Sequence, residues 1–220
     1  MGAWLEAAGC RLDVRRGYAG DALPADLAGY DGFLVLGGEM GAYDDAACDW
    51  LAPTKQLLSD AVRRDLPTLA VCLGMQLLAV AEGGTVARLA AGPQIGLHAV
   101  RPSLSAARDP LFAPLGAGAG AAHWNNDLVT NPPPGAVELA RTDAGLQAYR
   151  LGERVWAVQF HPEVGVDILR VWAAADVAAG LFPAELAEER LAAVAAADLE
   201  LVRTWRGVTK SFAHVVRNLA

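Results

Sequence analysis

Pro67-Thr68-Leu69-Ala70-Val71-Cys72-Leu73-Gly74-Met75-Gln76 is an apolar run that ends on a cysteine and a glycine, then continues as Leu77-Leu78-Ala79. Its first half has the length and content of a buried strand, and the residues beyond suit a helix. Gly74 permits the tight turn between them. A strand that passes into a helix through a nucleophilic residue is an elbow, which holds Cys72 in a strained position at the C-terminal edge of a sheet. The dipole and free N–H groups of the following helix favour the thiolate there. An isolated cysteine in an apolar run is also what a small buried hydrophobe looks like, so the elbow needs partners before it means chemistry.

Outward from this run, short apolar segments bounded by turn residues alternate with helical patterns; the clearest segments are 32–36, 68–72 and 155–160. That alternation builds a mainly parallel sheet covered by helices. Between the first two, Leu51, Leu57, Leu58, Ala61 and Val62 recur at helical spacing, with Pro53 tolerated in the first turn, and predict a crossover helix. Further on, 137–140, 146–151 and 154–160 lie close together, the last two joined at Gly152-Glu153, and predict antiparallel pairing. The expectation is an α/β fold with a mixed, mainly parallel sheet. Residues 103–122 read as a loop with one helical turn over 110–115. Beyond Val164 the chain is Ala-rich; Leu186, Leu191, Val194 and Leu201 form an apolar stripe, and Pro183 starts the second helix. One domain over 1–220, with 165–220 as a helical C-terminal extension, fits this length. The chain opens on Ala3-Trp4-Leu5, a helical pattern with no strand before it.

Composition narrows the function. The apolar content is 54%, but the longest apolar stretch, 66–81, is broken by Pro67, Gly74 and Gln76 and is short for a bilayer. No membrane span and no secretory signal are expected, and a cytoplasmic location follows. A net charge of −7 with only two lysines, Lys55 and Lys210, offers no basic stripe for nucleic acid. Cys10, Cys48 and Cys72 have no metal-type spacing, and His98, His123 and His214 lack ligand partners at useful spacing, so neither a metal nor a disulfide framework is expected.

Two further motifs supply partners for Cys72. In Val158-Gln159-Phe160-His161-Pro162-Glu163, an extended backbone puts residues i and i+2 on one side. Pro162 keeps itself and His161 extended, so the Glu163 carboxylate can orient the imidazole. Thiol, base and orienting acid are the parts that covalent acyl transfer requires. In Val35-Leu36-Gly37-Gly38-Glu39-Met40-Gly41, a strand runs into glycines whose N–H groups can face an oxyanion. The G-x-G-x-x-G spacing of a dinucleotide site is absent, and no cofactor is expected.

In this order and spacing the three motifs resemble the class I, triad-type glutamine amidotransferases, especially stand-alone members similar to the glutaminase part of GMP synthase. The resemblance runs from about residue 29 to 164 and is carried by Cys72-Leu73-Gly74-Met75-Gln76, by Gln159 to Glu163, and by Gly37-Gly38 with Tyr43-Asp44-Asp45. It implies a three-layer, flavodoxin-like fold. It also implies Cys72 as nucleophile, His161 as base, Glu163 as its partner, and the N–H groups of Gly38 and Leu73 as the oxyanion hole. Gln76, Trp124 and Asn125 would bind the substrate, glutamine or another γ-glutamyl compound. Departures from the family pattern are Ala70 for Gly, Glu39 for Pro, Asn125 for His, and Gln94-Ile95-Gly96 in place of a Glu-initiated segment. The resemblance also implies an opening strand ahead of the first helix, so either Met1 is a misassigned start or the sheet is incomplete.

Three functions follow as expectations. The first is a glutaminase that passes ammonia to a separate synthetase chain, since no acceptor-activating module is present. The second is a stand-alone hydrolase of γ-glutamyl peptides or amines. The third, of another class, is a catalytically silent binding or regulatory subunit.

Overall fold

The computed structural model describes residues 1–116 and 118–218. Ala117, inside the expected loop 103–122, and residues 219 and 220 of the expected extension lie outside the described residues. The chain runs α1 (Gly2–Ala7), β1 (Phe33–Val35), α2 (Leu51–Arg64), β2 (Thr68–Val71), α3 (Leu73–Ala81), β3 (Thr85–Arg88), β4 (Gln94–Pro102), β5 (Ala119–Asn125), β6 (Asp127–Asn131), β7 (Val137–Thr142), β8 (Gly145–Leu151), β9 (Val155–Val158), α4 (Val166–Ala178) and α5 (Ala184–Arg217).

A seven-stranded mixed sheet has the order β1-β2-β9-β8-β7-β4-β5. The β1–β2 and β2–β9 pairs are parallel, and the remaining four are antiparallel. The parallel part carries the elbow, and β2 is buried along its whole length, as a strand covered on both faces must be. Side-chain alternation sorts its residues between two layers. Leu69 and Val71, with Trp156 and Val158 of β9, face a core closed by Leu169 of α4 and by Val194, Leu201, Trp205 and Phe212 of α5. Ala70 and Ala157 face the opposite core, built with Leu51 and Leu58 of α2 and Leu73, Leu77 and Leu78 of α3. The result is helices, sheet, helices.

The crossover helix α2 buries Leu51, Thr54, Leu57, Leu58 and Ala61, positions that fall on one helical face. Asp65 ends it in the left-handed region at φ 47°, with Arg63 and Arg64 in the last turn, where the dipole favours cations. The chain opens on α1, and no strand precedes it among the described residues; β1 stands at the edge of the sheet.

The expected loop 103–122 requires correction. Short 3-10 turns occupy Ser105–Arg108 and Ala113–Leu115, but β5 begins at Ala119 and pairs antiparallel with β4 from Val100 to Gln94. Gly120, Ala121 and Ala122 carry no strand propensity. Tertiary contacts place them in the sheet: Trp205 donates its indole N–H to the Gly120 carbonyl at 3.1 Å, and a Cβ on Gly120 would meet Leu97 at 3.0 Å. A second, two-stranded sheet of β3 and β6 and the long β4 also lie where no strand was expected. The strand expected over 154–160 is shorter, Val155–Val158.

Candidate active site

Cys72 is the residue between β2 and α3, with φ 53° and ψ −108°. A side chain is strained at positive φ, and such strain in a native fold marks a position held by its surroundings. Two anchors hold it: the Cys72 N–H donates to the Val158 carbonyl at 2.8 Å, and the Gln76 N–H donates to the Cys72 carbonyl at 3.2 Å. Gly74 lets β1 approach, because a Cβ there would lie 2.6 Å from the Val35 carbonyl oxygen.

His161 and Glu163 arrive from the other side of β2. The chain leaves β9 at Val158, and His161 makes a single antiparallel bridge to Ala122 of β5, donating its N–H to that carbonyl at 2.8 Å. Beyond this bridge the imidazole Nδ1 lies 2.7 Å from Glu163 Oε1. Both side chains are largely withdrawn from water. With Nδ1–H donating to the carboxylate, Nε2 is free for a proton exchanged with the sulfur. Burial disfavours the charged ring, but the charges of Cys72 and Glu163 outweigh it and push the His161 pKa up to about 10. The arrangement therefore favours an imidazolium beside a thiolate.

Gly37 sits where nucleophile and base meet. A Cβ on it would stand 2.9 Å from His161 Cε1, 3.3 Å from Cys72 Cβ and 3.8 Å from Cys72 Sγ. Any side chain there would fill the space between them. At Gly38 a Cβ would meet Leu73 Cδ2 at 3.0 Å, so the glycine turn and the first turn of α3 are in close contact. Among the described residues no hydrogen bond engages the N–H of Gly38 or of Leu73. Asp44 accepts the Gly41 N–H at 2.7 Å and fixes the turn, Tyr43 accepts the Val86 N–H, and Asp45 pairs with Lys55.

The three expected substrate binders have different surroundings. Gln76 is buried, and its amide nitrogen is shared between the Asp127 carbonyl and Gln159 Oε1, both at 3.2 Å. Trp124 donates its indole N–H to Asp176 of α4 at 2.8 Å and meets the edge of Phe182. Asn125, the last residue of β5, donates to the Asp127 carbonyl, and its Oδ1 is buried with no partner among the described residues. The second Glu163 oxygen is orphaned in the same way. Sequence reasoning missed Trp172 of α4, whose ring stands edge-on to His161 with centroids 4.9 Å apart; no local pattern marks it. It also missed the contact of Gln159 Nε2 with Cys72 Sγ at 3.5 Å, although Gln159 lies inside the quoted motif. No group of metal-ligating side chains occurs among the described residues.

A cleft of about 580 Å³ lies elsewhere, between the 17–26 segment and α2, lined by Leu23, Asp26, Trp50, Gln56 and Arg63 among others. It contains none of the residues above, and the strained cysteine with its buried imidazole is the better marker of chemistry.

A family model described as "Glutamine amidotransferase class-I" matches residues 4–167. The chain belongs to the class I glutamine amidotransferase family. It is 27% identical to the glutamine amidotransferase-like protein YfeJ of Salmonella typhimurium, over 74% of this chain and 70% of that one. It is 31% identical to a glutamine-hydrolysing GMP synthase of Porphyromonas gingivalis over 67% of this chain but only 28% of that one. To gamma-glutamyl peptidase 3 of Arabidopsis thaliana it is 25% identical over 66% of this chain and 59% of that one. A crystal structure of a glutamine amidotransferase from Methylobacillus flagellatus superposes with a TM-score of 0.84 at 26% identity, covering 100% of this chain and 89% of that one. The amidotransferase therefore shares the fold described above.

Proposed function

We propose that this chain hydrolyses the side-chain amide of glutamine to glutamate and ammonia through a thioester at Cys72. The observation that carries the reading is the strained Cys72, flanked across Gly37 by an imidazole that Glu163 orients at 2.7 Å. The thiolate attacks the amide carbon, and the oxyanion that forms accepts the N–H groups of Gly38 and Leu73. His161 protonates the departing ammonia, leaving the acyl group on sulfur. The neutral imidazole then takes a proton from water, which attacks the thioester and releases glutamate. Ammonia would pass to a synthetase on another chain, a reading supported by the 28% of the GMP synthase that this chain spans.

A second reading, favoured by the likeness to gamma-glutamyl peptidase 3, keeps the same thioester and changes the leaving group to the amine of a γ-glutamyl peptide. We read 1–220 as one domain with 165–220 as its helical extension, because α5 shares a core cluster with β2 and β9. No helix among the described residues is long and apolar enough to cross a membrane. Three unpaired cysteines suit the reducing cytoplasm.

The test is release of ammonia and glutamate from glutamine and from a panel of γ-glutamyl amides, with Cys72→Ala as control. Turnover of glutamine that the variant lacks supports the glutaminase, and turnover of γ-glutamyl amides alone supports the peptidase reading. Silence on every substrate, with or without a synthetase, would overturn both and leave a binding or regulatory subunit.

A further inference from the structure

Gln159 is wholly buried just past the end of β9, and its backbone N–H is fixed on the Gln147 carbonyl at 2.9 Å. Its side chain bridges two groups: Nε2 is 3.5 Å from Cys72 Sγ, and Oε1 is 3.2 Å from Gln76 Nε2. The same Gln76 nitrogen is 3.2 Å from the backbone carbonyl oxygen of Asp127. The two ends of an amide are alike in shape, so which end faces where must be read from partners whose role is fixed. A backbone carbonyl only accepts. The Asp127 carbonyl therefore requires the nitrogen of Gln76, that nitrogen requires the oxygen of Gln159, and the N–H of Gln159 is left for the sulfur.

We propose that Gln159 is a further hydrogen-bond donor to the Cys72 sulfur, and that Gln76 is the positioning residue that fixes its polarity. The inference rests on the reading of Cys72 as the nucleophile. It gives Gln76 a different task from substrate binding: both of the Gln76 contacts recorded here point inward, to Asp127 and Gln159. A buried thiolate loses its hydration and is held by whatever donors replace water. A donated N–H stabilises the anion more than the neutral thiol, which is a weak acceptor, and so raises the thiolate fraction at a given pH. An amide turned the other way would present its oxygen to the sulfur and do the reverse. A single main-chain carbonyl on β6 thus sets the direction of a relay that ends at the reacting atom.

The experiment is alkylation of the full chain by iodoacetamide between pH 5 and 10, followed at Cys72 by peptide-resolved mass spectrometry, with half-buried Cys48 as internal reference. Gln159→Leu removes the donor. The midpoint of Cys72 alkylation is expected to rise by about one pH unit, a tenfold loss of thiolate below the midpoint. Gln76→Glu leaves Gln159 in place but puts an oxygen at the junction, so the Gln159 amide turns its N–H away from the sulfur. The same upward shift is expected. If Gln159→Leu does not fold, as judged by circular dichroism, the near-isosteric Gln76→Glu carries the test by itself. A midpoint unchanged or lowered in a folded variant overturns the relay. Failure of the nucleophile reading looks different and is visible before any variant is made: wild-type Cys72 would then alkylate at no lower pH than Cys48.

Discussion

His123 is wholly buried on β5, away from the chemistry, and its environment predicts how the fold responds to acid. Its Nε2 faces Gln147 Oε1 at 3.0 Å and its Nδ1 faces the Ala121 carbonyl at 3.2 Å, contacts that favour the charged ring. Burial outweighs them, and the neighbouring His98 and His161 add repulsion, so its pKa is pushed down to about 3. In the unfolded chain an ordinary histidine takes up its proton near pH 6.5. Between pH 6.5 and about 3 the unfolded state therefore binds more protons than the folded one, and stability falls as pH falls. Two pH units inside this window, from 6.5 to 4.5, cost about 2.7 kcal/mol, a large share of the ~5–15 kcal/mol of a typical domain. His161 acts in a separate window. Its folded pKa is raised to about 10, so its contribution is fully present below pH 6.5 and is lost as pH rises through 10. It adds no slope on the acid side. Urea unfolding of the wild type and of His123→Gln at pH 7.5 and pH 4.5 isolates the effect, because the carboxylates common to both cancel in the difference. The stability of the wild type relative to the variant should drop by about 2.7 kcal/mol on acidification. A difference that does not change with pH would refute the reasoning.

Gly74→Ala should lower stability by about 1–3 kcal/mol, read as a drop in melting temperature, because its Cβ would lie 2.6 Å from the Val35 carbonyl oxygen and force β1 from the elbow. An unchanged melting temperature would show that β1 yields freely. Asp109→Ala should cost about 3–5 kcal/mol in denaturant unfolding. The buried Asp109 carboxylate accepts the Trp156 indole N–H and the Arg150 guanidinium, both at 3.0 Å, and its loss strands that guanidinium in the interior. A cost below about 1 kcal/mol would mean that water reaches Arg150 once the carboxylate is gone.

The parts of the fold that were legible in the sequence are those whose signal is local. β2 and α3 follow from an apolar run, a cysteine and a glycine; α2 follows from a repeat that buries Leu51, Leu58 and Ala61 on one face. The motif 159–163 put imidazole and carboxylate within reach of each other, since residues two apart in extended chain share a side. β5 was illegible because Gly120, Ala121 and Ala122 have no propensity of their own and are strand only through β4 and Trp205. Gln76 was assigned from resemblance, and its burial against Asp127 and Gln159 depends on strand β6, which no local pattern announced. Residues far apart in sequence meet only after the sheet closes.

The C-terminal helices show the same limit in the site itself. An Ala-rich amphipathic stretch reads as packing, and α5 does pack, burying Val194, Leu201, Trp205 and Phe212 on the sheet. Yet α4 also brings Trp172 edge-on to His161 and Asp176 onto the Trp124 indole, while Phe182, in the turn that follows, closes on the Trp124 ring. These contacts fix the imidazole from the side opposite Glu163 and fix the last residues of β5, beside the orphaned Asn125 Oδ1. A wall of indole excludes water from an ion pair, which strengthens the pull between imidazolium and carboxylate, because charges interact more strongly where the local dielectric is low. The same wall bounds the space next to Asn125, so a change in α4 is expected to alter which γ-glutamyl compound fits as well as how firmly the base is held. Helices that the sequence presents as a covering layer thus belong to the site's geometry.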